Sequence, residues 1–176
     1  LYCGLADHCL GSELIGEFDE ALNQLDWSAE PLKDLDQLLN KRASQKIPGS
    51  EIKAMRSAID HHFSQPDMHH IRASLAAEEC PAFQDWAERT LAAIDAKSPL
   101  AMCVTLELLR QGRELTLADC FALELHLDSQ WFAGGDIMEG VRALIVDKDK
   151  NPRWNPPTLA EVDPARVAAF FAGFDH

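Results

Sequence analysis

The only residues in this chain that gather the right atoms for metal binding are two histidine pairs, His61-His62 and His69-His70, with Asp60 and Asp67 beside them. A chelating pair on a helix needs its ligands one turn apart on a single face. Neighbouring histidines point about 100° apart on a helix, and Pro66 separates the two pairs. The spacing therefore predicts a solvated polar helix end, and no metal ligand is assigned.

Nucleophiles are no better supplied. Cys103 and Cys120 fall within apolar helical patterns, where a thiol is a small inert core residue, and nothing nearby provides a base or a lowered thiol pKa. The chain contains no G-x-S-x-G, HExxH, Walker A or G-x-G-x-x-G motif. Carboxylate runs such as Glu78-Glu79, and Asp34 with Asp36, mark solvated faces. No catalytic residue is assigned. One polar pairing stands out: Glu124 lies in an otherwise apolar segment and needs a partner there, which Arg142 of the next helix would supply.

The elements that would position these groups are helical almost throughout. Leu14, Ile15, Phe18, Leu22 and Leu25 share one face, predicting a helix over 12–25, and Leu32, Leu35, Leu38 and Leu39 predict another over 30–43. Lys46-Ile47-Pro48-Gly49 breaks the chain, after which Ser50 caps a helix carrying Ile52, Met55, Ile59 and Phe63. Gln65-Pro66 ends it. Helices follow over 67–79 and 82–96, with Pro81 in a first turn. Ser98 and Pro99 start the next, Gly112 closes it, and Thr116 with Asp119 makes a capping box for 117–132. That helix is apolar nearly all round and is expected to be covered on more than one side. Asp136 with Glu139 forms a second box-like start for 137–146, and Asp163-Pro164 begins a last short helix ending in an exposed-looking Phe170, Phe171 and Phe174.

Composition limits the function classes. With 176 residues and 47% hydrophobic content the chain can bury a core, and it is not a disordered tail. A net charge of −13 with only 16 Lys and Arg disfavours a nucleic-acid or anionic-membrane surface. No apolar run approaches the roughly 20 residues that cross a bilayer, so a soluble protein is expected. Five scattered cysteines, Cys3, Cys9, Cys80, Cys103 and Cys120, never paired as CxxC, point to a reduced, cytoplasmic setting. The opening Leu1-Tyr2-Cys3, apolar and without an initiator methionine, reads as the start of a piece of a longer polypeptide.

Against this background the run DIMEGVRALIVDKDKNPRW, Asp136 to Trp154, is specific. Together with Ser98-Pro99-Leu100, Glu139-Gly140-Val141-Arg142-Ala143, Asp147-Lys148-Asp149, and Pro152 followed by Trp154, it resembles the end of the 3-hydroxyisobutyryl-CoA hydrolases, a branch of the crotonase (enoyl-CoA hydratase/isomerase) superfamily. The likeness is dense from Ser98 onward and loose over 26–80. Gly4-Leu5-Ala6-Asp7-His8 resembles the strand-like segment leaving the crotonase core, with Asp7 where Thr is usual, and Gly135 stands where the hydrolases commonly carry His.

The resemblance implies a mainly α fold: the helical carboxyl-terminal region of a crotonase-type enzyme, with the β-β-α core absent from this chain. It implies that residues 1–47 are the end of a core strand plus a helical pair, and 48–176 the helical region. The parent would hydrolyse an acyl-CoA thioester in valine breakdown, using an oxyanion hole and Glu and Asp groups on its core. This chain would cover the CoA pocket and support assembly, inactive alone. Its partners would be the amino-terminal core of the same protein, the acyl-CoA substrate and further copies of itself, with no cofactor. In superfamily relatives a Lys just after the EG-containing helix helps bind the CoA nucleotide, and Lys148 is the nearest equivalent; its alternative is an ordinary surface lysine. Two other functions stay open: the same region of an enoyl-CoA hydratase or isomerase, and a non-catalytic helical interaction module.

Overall fold

The computed structural model describes residues 2–43 and 50–174, where all regular structure is helical. Two compact units divide at Ser57–Ala58. The Lys46-Ile47-Pro48-Gly49 break lies outside the described residues.

The expected fold class needs correction. Residues 4–8 form bends and irregular chain in place of the end of a core strand, with Gly4 at a φ of 72° and Leu5 exposed. A strand needs a neighbour to take its backbone N–H and C=O groups. None of the described residues offers one, so the mainly α expectation with a strand tail becomes all-helical among them.

In the first unit, a turn of 3-10 helix at Ser12–Leu14 leads into α1 (Ile15–Asn23), which packs on α2 (Pro31–Arg42). Pro31 occupies the first turn of α2, and Ser28 anchors the preceding loop, donating from its N–H and hydroxyl to Asp34. Of its apolar face only Leu38 is fully buried. Ser50 caps α3 (Glu51–Ala54), accepting from the Lys53 N–H. Where periodicity predicts one helix through Phe63, the chain pauses at Met55 and restarts as α4 (Arg56–Phe63), most of which belongs to the second unit.

The second unit carries the core. Asp67 caps α5 (Met68–Ala76), accepting from the His70 N–H, and α5 packs on α6 (Gln84–Asp95). Pro81 lies before α6, in a turn closed by the Phe83 N–H on the Cys80 carbonyl, where its fixed φ suits the second turn position. Ser98 and Pro99 start α7 (Pro99–Gln111) as predicted. One face of α7 gives Leu100 and Val104 to a cluster with Leu123, Leu127 and Phe170. Its other side presents Met102, Cys103 and Leu106 to Met68, Ile71, Leu75 and Ala87. Thus α7 is the wall between two apolar nuclei.

Thr116 caps α8 (Leu117–Gly134), although Asp119 accepts from the Thr116 hydroxyl instead of reaching back to its N–H. Only one stripe of α8 is buried. Leu117, Phe121, Leu125 and Phe132, which share the opposite stripe, are exposed, so the expected cover on several sides is absent among the described residues. The terminal aromatics differ from expectation in the other direction. In α10 (Pro164–Phe171) Phe170 is buried with its ring 4.3 Å from that of Trp131, and Phe171 and Phe174 pack on the same cluster. Among the described residues no helix is long and apolar enough to cross a membrane.

Neighbouring leucines on α8 give a direct test. Leu123 is 0% exposed and Leu125 70%. Leu123→Ala should cost about 2–5 kcal/mol in denaturant unfolding, and Leu125→Ala within about 0.5 kcal/mol of nothing.

Candidate functional site

The residues of the 136–154 run converge on two linked polar clusters. The first is buried. Asp136 accepts the Ser98 hydroxyl at 2.5 Å and the Asn155 N–H at 3.0 Å, while Ser98 Oγ also accepts from the Ala101 N–H at the start of α7. One carboxylate therefore joins the start of α7, the entry to α9 (Ile137–Val141) and the segment after Trp154. The predicted box with Glu139 does not form, because both side chains are engaged elsewhere. Beside them Gly140 faces the Trp154 ring, whose nearest atom lies 3.5 Å from where a Cβ would stand.

The second cluster is built on Arg142. Its guanidinium forks onto both oxygens of Glu139 at 2.8 and 2.7 Å, and donates to Asp147 at 2.6 Å, Asp149 at 2.8 Å and the Asn151 carbonyl at 3.1 Å. Glu139 also accepts the Arg153 N–H at 2.6 Å. Arg142 opens a π-helical turn, Arg142–Val146, closed by the Asp147 N–H on the Arg142 carbonyl. Such turns are rare and recur at functional sites. The Arg142 bonds, with the Arg153 N–H, hold the Glu139 carboxyl at about 2, below the ordinary 4.5. Asp149 is likewise held low, by Arg142 first and then the Asn151 N–H.

The loop that follows has an unusual backbone. Lys148 and Lys150 both adopt the left-handed region, at φ 57° and 54°, and both are exposed. Without a glycine, each costs roughly 1–2 kcal/mol. The Lys150 N–H donates to the Ala143 carbonyl and the Asn151 N–H to Asp149, so the loop is held from both ends. Neither lysine side chain makes an ion pair among the described residues.

Other predicted groups fall elsewhere. Glu124 is exposed and solvated, so it needs no counter-charge, and Arg142 is taken by Glu139, Asp147 and Asp149; the proposed Glu124–Arg142 pair is corrected. His61, His69 and His70 are exposed as expected, but His62 is 1% exposed. Its ring lies 2.7 Å from Ser74 Oγ through Nδ1 and 2.8 Å from Glu78 through Nε2. Glu78 is held low by the Cys80 N–H and then by His62. Sequence reasoning missed this trio, and its partners, on two other turns of chain, leave no local signal. It has the atom types of a hydrolytic triad, yet Ser74 stands in the last turn of α5, and the bonds satisfy an otherwise orphaned buried imidazole. Among the described residues no three metal-binding side chains converge. Cys103, whose thiol pKa is raised by burial and by Asp67, lines a groove of ≈ 450 Å³ between α5, α7 and α10. On α8 the Nε2 of His126 is buried and has no hydrogen-bond partner among the described residues.

The depressed Glu139 carboxyl makes stability pH-dependent. Its contribution is complete above the ordinary 4.5 and is lost as pH falls toward about 2, because the unfolded state binds the proton more readily. Melting temperatures measured across that range should fall less steeply for Glu139→Gln than for the natural chain. Parallel acid limbs would show that the pairing contributes nothing.

A family model described as enoyl-CoA hydratase/isomerase matches residues 1–171, so the likeness is not confined to the region after Ser98. The chain is 29% identical over 170 residues, 96% of its length, to a Dictyostelium discoideum protein named 3-hydroxyisobutyryl-CoA hydrolase, mitochondrial. It is 32% identical over 97% of its length to the Arabidopsis thaliana 3-hydroxyisobutyryl-CoA hydrolase-like protein 1, mitochondrial. A crystal structure of a carnitinyl-CoA dehydratase from Mycobacterium thermoresistibile superposes with a TM-score of 0.78 at 33% identity, covering 97% of this chain and 45% of that one. The chain spans less than half the length of the two relatives, 43% of each. The cytoplasmic expectation is corrected by the names of both relatives, which are mitochondrial; scattered unpaired cysteines do not identify a compartment. With a model match across nearly its whole length and hydrolases among its relatives, the chain belongs to the enoyl-CoA hydratase/isomerase family of the crotonase superfamily, and resembles its 3-hydroxyisobutyryl-CoA hydrolases.

Proposed function

We propose that this chain is the helical part of an acyl-CoA thioester hydrolase of the 3-hydroxyisobutyryl-CoA type, acting in valine breakdown. A crotonase core in the same protein polarises the thioester carbonyl with backbone N–H donors aimed at the developing oxyanion, and water then releases CoA and the free acid. The helical part covers the CoA pocket, with Lys148 at the nucleotide, and supports assembly. One observation carries this reading: the residues shared with the hydrolase signature gather around Arg142 and fix the loop that bears Lys148. The exposed stripe of Leu117, Phe121, Leu125 and Phe132 supports the covering and assembly roles, since a contiguous apolar face is normally buried against something. A second reading, hydration or dehydration of an enoyl-CoA, is favoured by the likeness to the Mycobacterium thermoresistibile protein, which is named a dehydratase.

Thiol release separates these readings. With 3-hydroxyisobutyryl-CoA the 176-residue chain should release no thiol above background, and the same chain joined to its core should release CoA. Addition of water to an enoyl thioester without thiol release would select the second reading. Hydrolysis by the chain alone, abolished by Ser74→Ala, would move the chemistry to the His62 trio. For assembly, sedimentation of the chain should show association that Phe121→Lys with Leu125→Lys weakens; a strict monomer at high concentration counts against that role.

A further inference from the structure

We propose that the groove between α5, α7 and α10 is a binding site for a small apolar amine in its ammonium form. The inference stands apart from the thioester chemistry, because no residue of the 136–154 run lines this groove.

The walls come from both apolar nuclei. Met68 and Leu106 pack with the nucleus built on α5 and α6, and Val162, Val167 and Phe171 with the one that holds Leu123, Leu127 and Phe170. The concavity between them measures ≈ 450 Å³, within the range of small-molecule sites. Apart from Met68, these five side chains are only partly buried, so among the described residues the groove offers apolar surface left uncovered.

The polar part of the lining is unevenly charged. Asp67 and Glu107 are carboxylates, and Arg110 is the one guanidinium or ammonium beside them. Arg110 donates to the Gln65 carbonyl at 3.1 Å and makes no ion pair with either acid among the described residues, so its charge is directed at the chain before α5. The His70 N–H, above all, holds the Asp67 carboxyl below its ordinary range. Burial, and after it Asp67, raises the Cys103 thiol, so the field of that carboxylate extends to the groove wall. Glu107 accepts from Gln111 through one oxygen at 2.8 Å, and its other oxygen has no hydrogen-bond partner among the described residues. A half-buried carboxylate oxygen in that position calls for a donor.

These features select the ligand by chemistry. An anion would meet two like charges, and an uncharged apolar molecule would leave the Glu107 oxygen without a donor. An ammonium brings a positive charge and three N–H donors, while its alkyl body covers the apolar walls. The net charge of −13 favours the approach of a cation.

The test uses hexylammonium with the 176-residue chain, and hexanoate and hexanol as anionic and uncharged probes of equal length. Binding is followed by calorimetry and by iodoacetamide alkylation of Cys103, mapped by mass spectrometry against the exposed Cys80. Hexylammonium should bind at least about tenfold more tightly than either probe, the difference expected for one charge-assisted contact. It should slow alkylation of Cys103 and leave Cys80 unaffected. Each methylene added between butylammonium and hexylammonium should tighten binding roughly two- to fourfold. Glu107→Gln, which keeps an acceptor for Gln111, and Asp67→Asn, which keeps the helix cap, should each weaken binding about tenfold. Glu88→Gln, the same loss of charge at an exposed position on α6, should leave it unchanged. Joined to its core, the chain should show the same protection of Cys103 by hexylammonium. No binding at about 10 mM, equal affinity for hexanoate or hexanol, unprotected Cys103, or equal effects of Glu88→Gln and the two groove variants overturns the inference. Cys103 already shielded in the joined protein before any amine is added would mean that the core fills the groove, and overturns it as well.

Discussion

The guanidinium of Arg142 organises the stretch from α9 through the lysine-bearing loop. A short helix, a π-helical turn and a loop with two left-handed lysines leave most of their apolar side chains, Met138, Leu144, Ile145 and Val146 among them, exposed, so packing does little to hold them together. What holds them is a single planar cation meeting Glu139 on one side and Asp147, Asp149 and Asn151 on the other. Exposed ion pairs usually contribute little to stability. This one differs in being bidentate and part of a network, so its role is to choose one conformation among many for a segment that packing leaves undecided.

The buried Asp136 extends that order into the body of the second unit. By accepting from Ser98 and from Asn155 it fastens the loop-bearing segment to the helix that separates the two apolar nuclei. The polar clusters and the core are thus continuous. Ser98 acts in both, as the cap of α7 and as the donor to Asp136.

Much of the local structure was legible in the sequence. Helix starts at Ser50, Asp67, Ser98, Thr116 and Asp163 each carry a short polar side chain that accepts from an N–H of the first turn. That interaction spans two or three residues, so a reading along the chain can find it. The Glu139-to-Arg142 spacing was equally visible, as an i, i+3 pair, yet Glu124 drew attention instead because its neighbours are apolar. Periodicity shows which side chains share a face, not whether that face finds cover: Glu124 and Leu125 lie on the uncovered side of α8, while Phe170 lies on the covered side of α10. His62 and Asp136 were misread for another reason. Their partners lie 12, 16, 19 and 38 residues away, and no local pattern reports a bond closed by tertiary packing.

The double role of α7 has a mechanical consequence. Because its two sides belong to different nuclei, neither half of the second unit can be peeled away without stripping one flank of the same rod. Such a shared strut leaves no natural seam, which favours concerted over stepwise loss of structure in that unit.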